Sequence, residues 1–156
     1  MQLLDLLTPA RVVANAHASG KKRLLEQLAH LLDERGSSES ERAIFEALCK
    51  RERLGSTGLG RGVAIPHGRS SAIDHPVGTF VKLAEPIDFD AIDGQRVDLV
   101  FALVVPEHFT DQHLMFLAQL AELFSDNALV SRLRQGRTSA ALYETLSGLS
   151  EHHAAA

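Results

Sequence analysis

The residues best suited to chemistry in this chain surround one histidine, His67, in the stretch GVAIPHGRS from Gly62 to Ser70. Pro66 has no N–H, so it is expected to end strand pairing, and it holds Ile65 extended. His67 is therefore expected in an exposed turn just past a strand end, a common place for functional side chains in α/β proteins. Gly68 would leave the ring uncrowded for an approaching partner or anion. An imidazole with an unperturbed pKa near ~6.5 is substantially neutral at cell pH and keeps a nitrogen lone pair. Held by a hydrogen bond at its other nitrogen, such a ring is a competent nucleophile for a phosphoryl group. A structural histidine in a tight turn fits the same local residues equally well.

Two further residues align with it. Ile44, Leu48 and Arg51 fall at i, i+4 and i+7 of a helical segment, so Arg51 extends a core-facing stripe at the C-terminal end. An arginine there can stabilise phosphoryl oxygens, or simply complement the helix dipole and cover apolar surface with its stem. His113 shares a helix face with Leu117, Leu120 and Phe124 and sits in the first turn, where backbone N–H groups favour an anion. Taken alone, it reads as a satisfied core histidine. His17, His30, His75, His108, His152 and His153 read as surface residues.

Other chemistries are poorly supported. Gly55 to Gly62 reads G-x-x-x-x-G-R-G, but Arg61 stands where a phosphate-cradling loop needs lysine and Gly62 where it needs a hydroxyl. That loop also leads from a helix into a strand, the reverse of the nucleotide-binding order, so a flexible connection with close backbone approach is expected. No spacing suits a metal hydrolase, no G-x-S-x-G is present, and the single cysteine, Cys49, lacks an activating setting. Neither a metal nor a cofactor is expected.

The elements that must position these residues are legible in outline. LLDLL reads as a helical turn and RVVANA as a short strand. An amphipathic helix over Lys21 to Gly36 carries Leu24, Leu25, Leu28, Leu31 and Leu32, and a second, capped by SSES, runs from about Glu39 to Arg53. VAI and VGTFVKL read as strands, and PIDFDAI and QRVDLVFALVV as two strands joined at Asp93-Gly94. Leu99 to Val105 is apolar on both faces, as in a strand buried mid-sheet. After Pro106 come a helix with Leu114, Leu117, Leu120, Ala121 and Phe124 at helical spacing, then two shorter ones. The fold class expected is α/β, a mixed central β-sheet flanked by helices in one domain over residues 1–150, with a frayed tail at 151–156.

The bulk numbers agree with a single globular domain of 156 residues, 45% hydrophobic and 23% charged. A net charge of -4 without a basic stripe argues against nucleic acid. The N-terminus lacks signal-peptide order, and the longest apolar run is far below the ~20 residues of a membrane span. A cytoplasmic location without membrane insertion is expected, and one cysteine allows no internal disulfide.

RERLGSTGLGRGVAIPHGR, followed by PIDFDAIDGQRVDLVFALVVP and HLMFLAQLAELF, resembles the mannitol/fructose-type enzyme IIA of the bacterial phosphotransferase system, and within it the nitrogen-regulatory branch, over roughly residues 3 to 147. The resemblance implies that His67 is phosphorylated, on its tele nitrogen, by an HPr-like phosphohistidine carrier. It implies that His113 supports the phosphoryl group without being modified and that Arg51 lies near the site. Ser56 and Thr57 fall within the motif with no role assigned. For this branch it implies that the phosphorylation state governs partners such as potassium-transport or sensor-kinase proteins. The alternatives are the IIA component of a fructose/mannitol-type sugar permease, passing phosphate to a IIB domain, and a non-catalytic interaction module.

Overall fold

The computed structural model describes residues 2–155, with side chains for residues 2–149. Two short 3-10 turns, Leu3–Leu6 and Pro9–Arg11, precede β1 (Val12–Ala16), α1 (Lys21–Leu32) and α2 (Ser38–Glu52). Then come β2 (Gly58–Gly60), β3 (Val63–Ala64), β4 (His67–Ser70), β5 (Val77–Ile87) and β6 (Val97–Pro106). Helices α3 (Thr110–Leu123), α4 (Asn127–Gln135) and α5 (Ser139–Ala155) complete the chain. The backbone of α5 includes most of the 151–156 tail; the side chains of His152 and His153 lie outside the description.

The six strands form one mixed sheet in the order β1-β5-β6-β3-β2, with β4 also paired to β6. The apolar run of β6 lies at its centre, antiparallel to β5 and parallel to both β3 and β4. Side chains alternate between the two faces of a strand, so an all-apolar run serves two cores at once. Leu99, Phe101, Leu103 and Val105 pack with Phe116, Leu120, Leu133 and Leu142 of the C-terminal helices. Val100, Ala102 and Val104 pack with Leu24, Leu28, Ile44 and Leu48 of α1 and α2. The result is helices on both faces of a mixed sheet, as expected.

Helix starts follow local chemistry. The Ser37 hydroxyl accepts from the Ser40 N–H at 3.0 Å to open α2, and the Asp126 carboxylate accepts from the Ala128 N–H at 2.9 Å to open α4.

Four local expectations are corrected. Helix α1 stops at Leu32, before Gly36, because Asp33 turns extended. PIDFDAI is not a strand beyond Ile87: the chain leaves the sheet to bury Phe89, and Asp90 adopts a φ of 57°. Asp93-Gly94 is a turn within that longer loop, with the Asp93 carboxylate accepting from the N–H groups of Arg61 (2.9 Å) and Gln95 (3.1 Å). Leu114 is 63% exposed, because the buried line of α3 runs through Phe116, Leu120 and Phe124 instead.

Candidate functional site

The site begins at the interruption between β3 and β4. Both strands pair with the same side of β6, Val63 beside Leu99 and His67 beside Leu103. Pro66 therefore interrupts the ladder without ending it: it cannot donate, but its carbonyl accepts the Leu103 N–H at 3.0 Å. His67 is the first residue of β4, not a residue of an exposed turn, and is only 6% exposed. Its Nδ1 lies 2.7 Å from the Ile65 carbonyl oxygen. A carbonyl can only accept, so the proton resides on Nδ1 and the lone pair on Nε2.

Gly68 is small for a different reason from the one its sequence suggests. A Cβ there would lie 2.9 Å from the carbonyl carbon and oxygen of Ala47 on α2. The glycine lets β4 pass against a helix backbone, so the open space expected for a partner is already taken by the protein itself. Close backbone approach does hold in the Gly-rich stretch: Gly62, at φ 83°, lies against the Arg134 guanidinium and the Asp98 carboxylate.

His113 arrives from beyond the C-terminal end of β6. Ser70 pairs with Pro106, after which the Phe109 N–H bonds to the Pro106 carbonyl at 3.0 Å and the chain turns into α3. This brings the two imidazoles edge to face, their centroids 5.2 Å apart at 75°. Burial and the neighbouring His67, Arg69 and Arg51 depress the His113 pKa to about 4. Burial also lowers that of His67, opposed in part by its bond to the Ile65 carbonyl. Both rings are thus neutral near pH 7. Among the described residues, His113 Nε2 is the one buried side-chain nitrogen or oxygen without a hydrogen-bond partner.

The two histidines and Arg51 line one groove of about 730 Å³, so all three residues singled out in the sequence meet in space. Arg51 is steadied by a bond from its Nη1 to the Gly55 carbonyl, 2.9 Å. Arg69 joins them. Its guanidinium reaches Thr110 Oγ1 at 3.3 Å, at the start of α3. The signal for Arg69 was the period of two: in a strand, residues i and i+2 share a face, but a turn at His67 hides that relation. The other described histidines stay apart, His75 bridging Asp74 and Glu34 and His30 contacting Glu41.

The chain belongs to the phosphoenolpyruvate-dependent sugar phosphotransferase system EIIA 2 family, whose model matches residues 5–148. Within it the chain is of the nitrogen-regulatory type. It is 44% identical to the nitrogen regulatory protein of Pseudomonas aeruginosa, covering 92% of this chain and 94% of that one. It is 41% identical to the nitrogen regulatory protein of Bradyrhizobium diazoefficiens, over 94% of this chain and 95% of the relative. The crystal structure of nitrogen regulatory protein IIA-Ntr from Neisseria meningitidis superposes with a TM-score of 0.85 at 42% identity, over 92% of this chain and 98% of that one. No helix among the described residues is long and apolar enough to cross a membrane.

Proposed function

We propose that this chain is a cytoplasmic regulatory phosphocarrier that accepts a phosphoryl group on Nε2 of His67 from an HPr-like phosphohistidine protein. The observation that carries this reading is the bond from His67 Nδ1 to the Ile65 carbonyl, which leaves Nε2 as the nucleophile. In the transfer, the Nε2 lone pair forms the new P–N bond while the donor nitrogen keeps the electrons of the bond that breaks. The proton stays on Nδ1, hydrogen-bonded to the Ile65 carbonyl, so no base is required.

Such a step asks the protein for alignment and for stabilisation of the equatorial oxygens rather than covalent work. The unpartnered Nε2 of His113 and the guanidinium of Arg51 are available for those oxygens, with Arg69 beside them. Leu54 and Leu114, both exposed, line the same groove and suit an apolar contact with the carrier. Phosphorylation then places a charge of about -1.5 to -2 in the groove. That change selects regulatory partners, with potassium-transport or sensor-kinase proteins as the family-type targets.

The test is the intact mass after incubation with enzyme I, the carrier and phosphoenolpyruvate, for the wild type and His67→Gln. One acid-labile phosphoryl addition, absent from the variant, is expected; no addition from a demonstrably charged donor, or addition retained in His67→Gln, overturns the assignment. Rapid onward transfer to a sugar-specific IIB protein would refute the regulatory part alone. Because the ring is buried and hydrogen-bonded, removing it costs about 1–3 kcal/mol of stability, where an exposed turn residue would cost almost nothing.

A further inference from the structure

Beneath the groove lies a buried charged network that the transfer step itself does not use. Glu52, the last residue of α2, has a side chain only 5% exposed, and its Oε2 lies 2.8 Å from Lys21 Nζ. The same carboxylate accepts from the Thr57 N–H at 3.3 Å and from the Thr57 hydroxyl. Lys21 continues to the Phe89 carbonyl at 3.4 Å, which also accepts from the Ser56 hydroxyl at 2.9 Å. Arg51, Glu52, Ser56 and Thr57 are close in sequence, yet only Arg51 reaches the groove. Glu52 and Thr57 face inward.

The inward pair leads back to His67. The Thr57 carbonyl accepts the Ile65 N–H at 3.0 Å, and the Ile65 carbonyl in turn meets His67 Nδ1. Two residues, Thr57 and Ile65, therefore link the Glu52 carboxylate to the imidazole through their backbone groups. A buried carboxylate is costly unless paired and fully hydrogen-bonded; this one has an ammonium, an amide and a hydroxyl. Resting on the phosphoryl-acceptor reading of His67, we propose that Glu52 is a positioning residue, which fixes Thr57 and through it the Ile65 carbonyl that holds the Nε2 lone pair of His67 toward the groove.

Glu52→Gln keeps the size and one acceptor but removes the charge that Lys21 balances, and Thr57→Val removes the hydroxyl alone. Nitrogen-detected NMR reports the His67 tautomer directly and does not depend on any phosphoryl donor. For wild type a single Nδ1–H form is expected, and for both variants a mixture of the two neutral forms. The phosphorylation rate at saturating charged carrier is expected to fall by about tenfold or more, the sensitivity of transfer to small misplacement, with KM unchanged. Thr57→Ser, which restores the hydroxyl, is expected to recover both readouts. The proposal is overturned if folded Glu52→Gln and Thr57→Val keep the wild-type tautomer and rate. If Glu52→Gln fails to fold, Thr57→Val alone decides. A wild type that takes no phosphoryl group refutes the acceptor reading of His67, while the tautomer spectra still decide the role of Glu52.

Discussion

Substituting Gly68 by alanine separates two explanations of why this position carries no side chain. The added Cβ would stand 2.9 Å from the Ala47 carbonyl carbon and oxygen and 3.1 Å from its Cβ. Ordinary contact between carbon atoms begins near ~3.5 Å, so β4 and α2 must part by roughly 0.6 Å. Neither yields freely. Helix α2 is sealed into the core by Ile44 and Leu48, both fully buried, and β4 is paired to β6 from His67 to Ser70. One methyl forced into such a contact costs about 1–3 kcal/mol. At about 2–4 °C per kcal/mol for a domain of this size, Tm should fall by about 2–12 °C. Urea unfolding followed by circular dichroism measures the loss, and the phosphorylation rate should fall with it, since His67 must move with its neighbour. A Gly68→Ala protein with a wild-type urea midpoint and a raised KM for the carrier would refute the packing argument and restore the idea of space kept for a partner.

Two other outcomes follow from the site. A base whose folded pKa lies below its unfolded value is protonated first in the unfolded chain, so stability falls as pH drops from about 6.5 toward about 4. His113, depressed to about 4, and His67, lowered in the same direction, both contribute; urea midpoints for His113→Gln should decline less steeply through that window, and an equal slope in variant and wild type would contradict the burial argument. Leu54 is 82% exposed and lines the groove, so Leu54→Glu should raise the KM for the carrier while changing stability by no more than about 0.5 kcal/mol. An unchanged KM would remove Leu54 from the docking face.

Much of this protein is written locally. The run Leu99 to Val105 declared a strand buried on both faces, and β6 is the centre of the sheet with one core on each side. Ser37 as a helix cap and His67 as a candidate nucleophile could be read from a few adjacent residues, because capping and proline geometry act over that range. Even the meeting of His67, Arg51 and His113 was reachable, through helical spacing and the resemblance of the combined motifs.

What tertiary structure alone decided is what each of these residues touches. The sequence placed His67 in a turn; parallel pairing with β6 makes it the start of a strand, buries it and sets Arg69 on the same face. Gly68 looked like open space and proved to be a helix contact. Glu52 and Thr57 gave no sign that they join Lys21, thirty-one residues before Glu52, in a network behind the histidine. Backbone preference and periodicity are properties of neighbouring residues. Burial, pKa and hydrogen-bond partners depend on segments brought together only when the sheet closes and the helices dock.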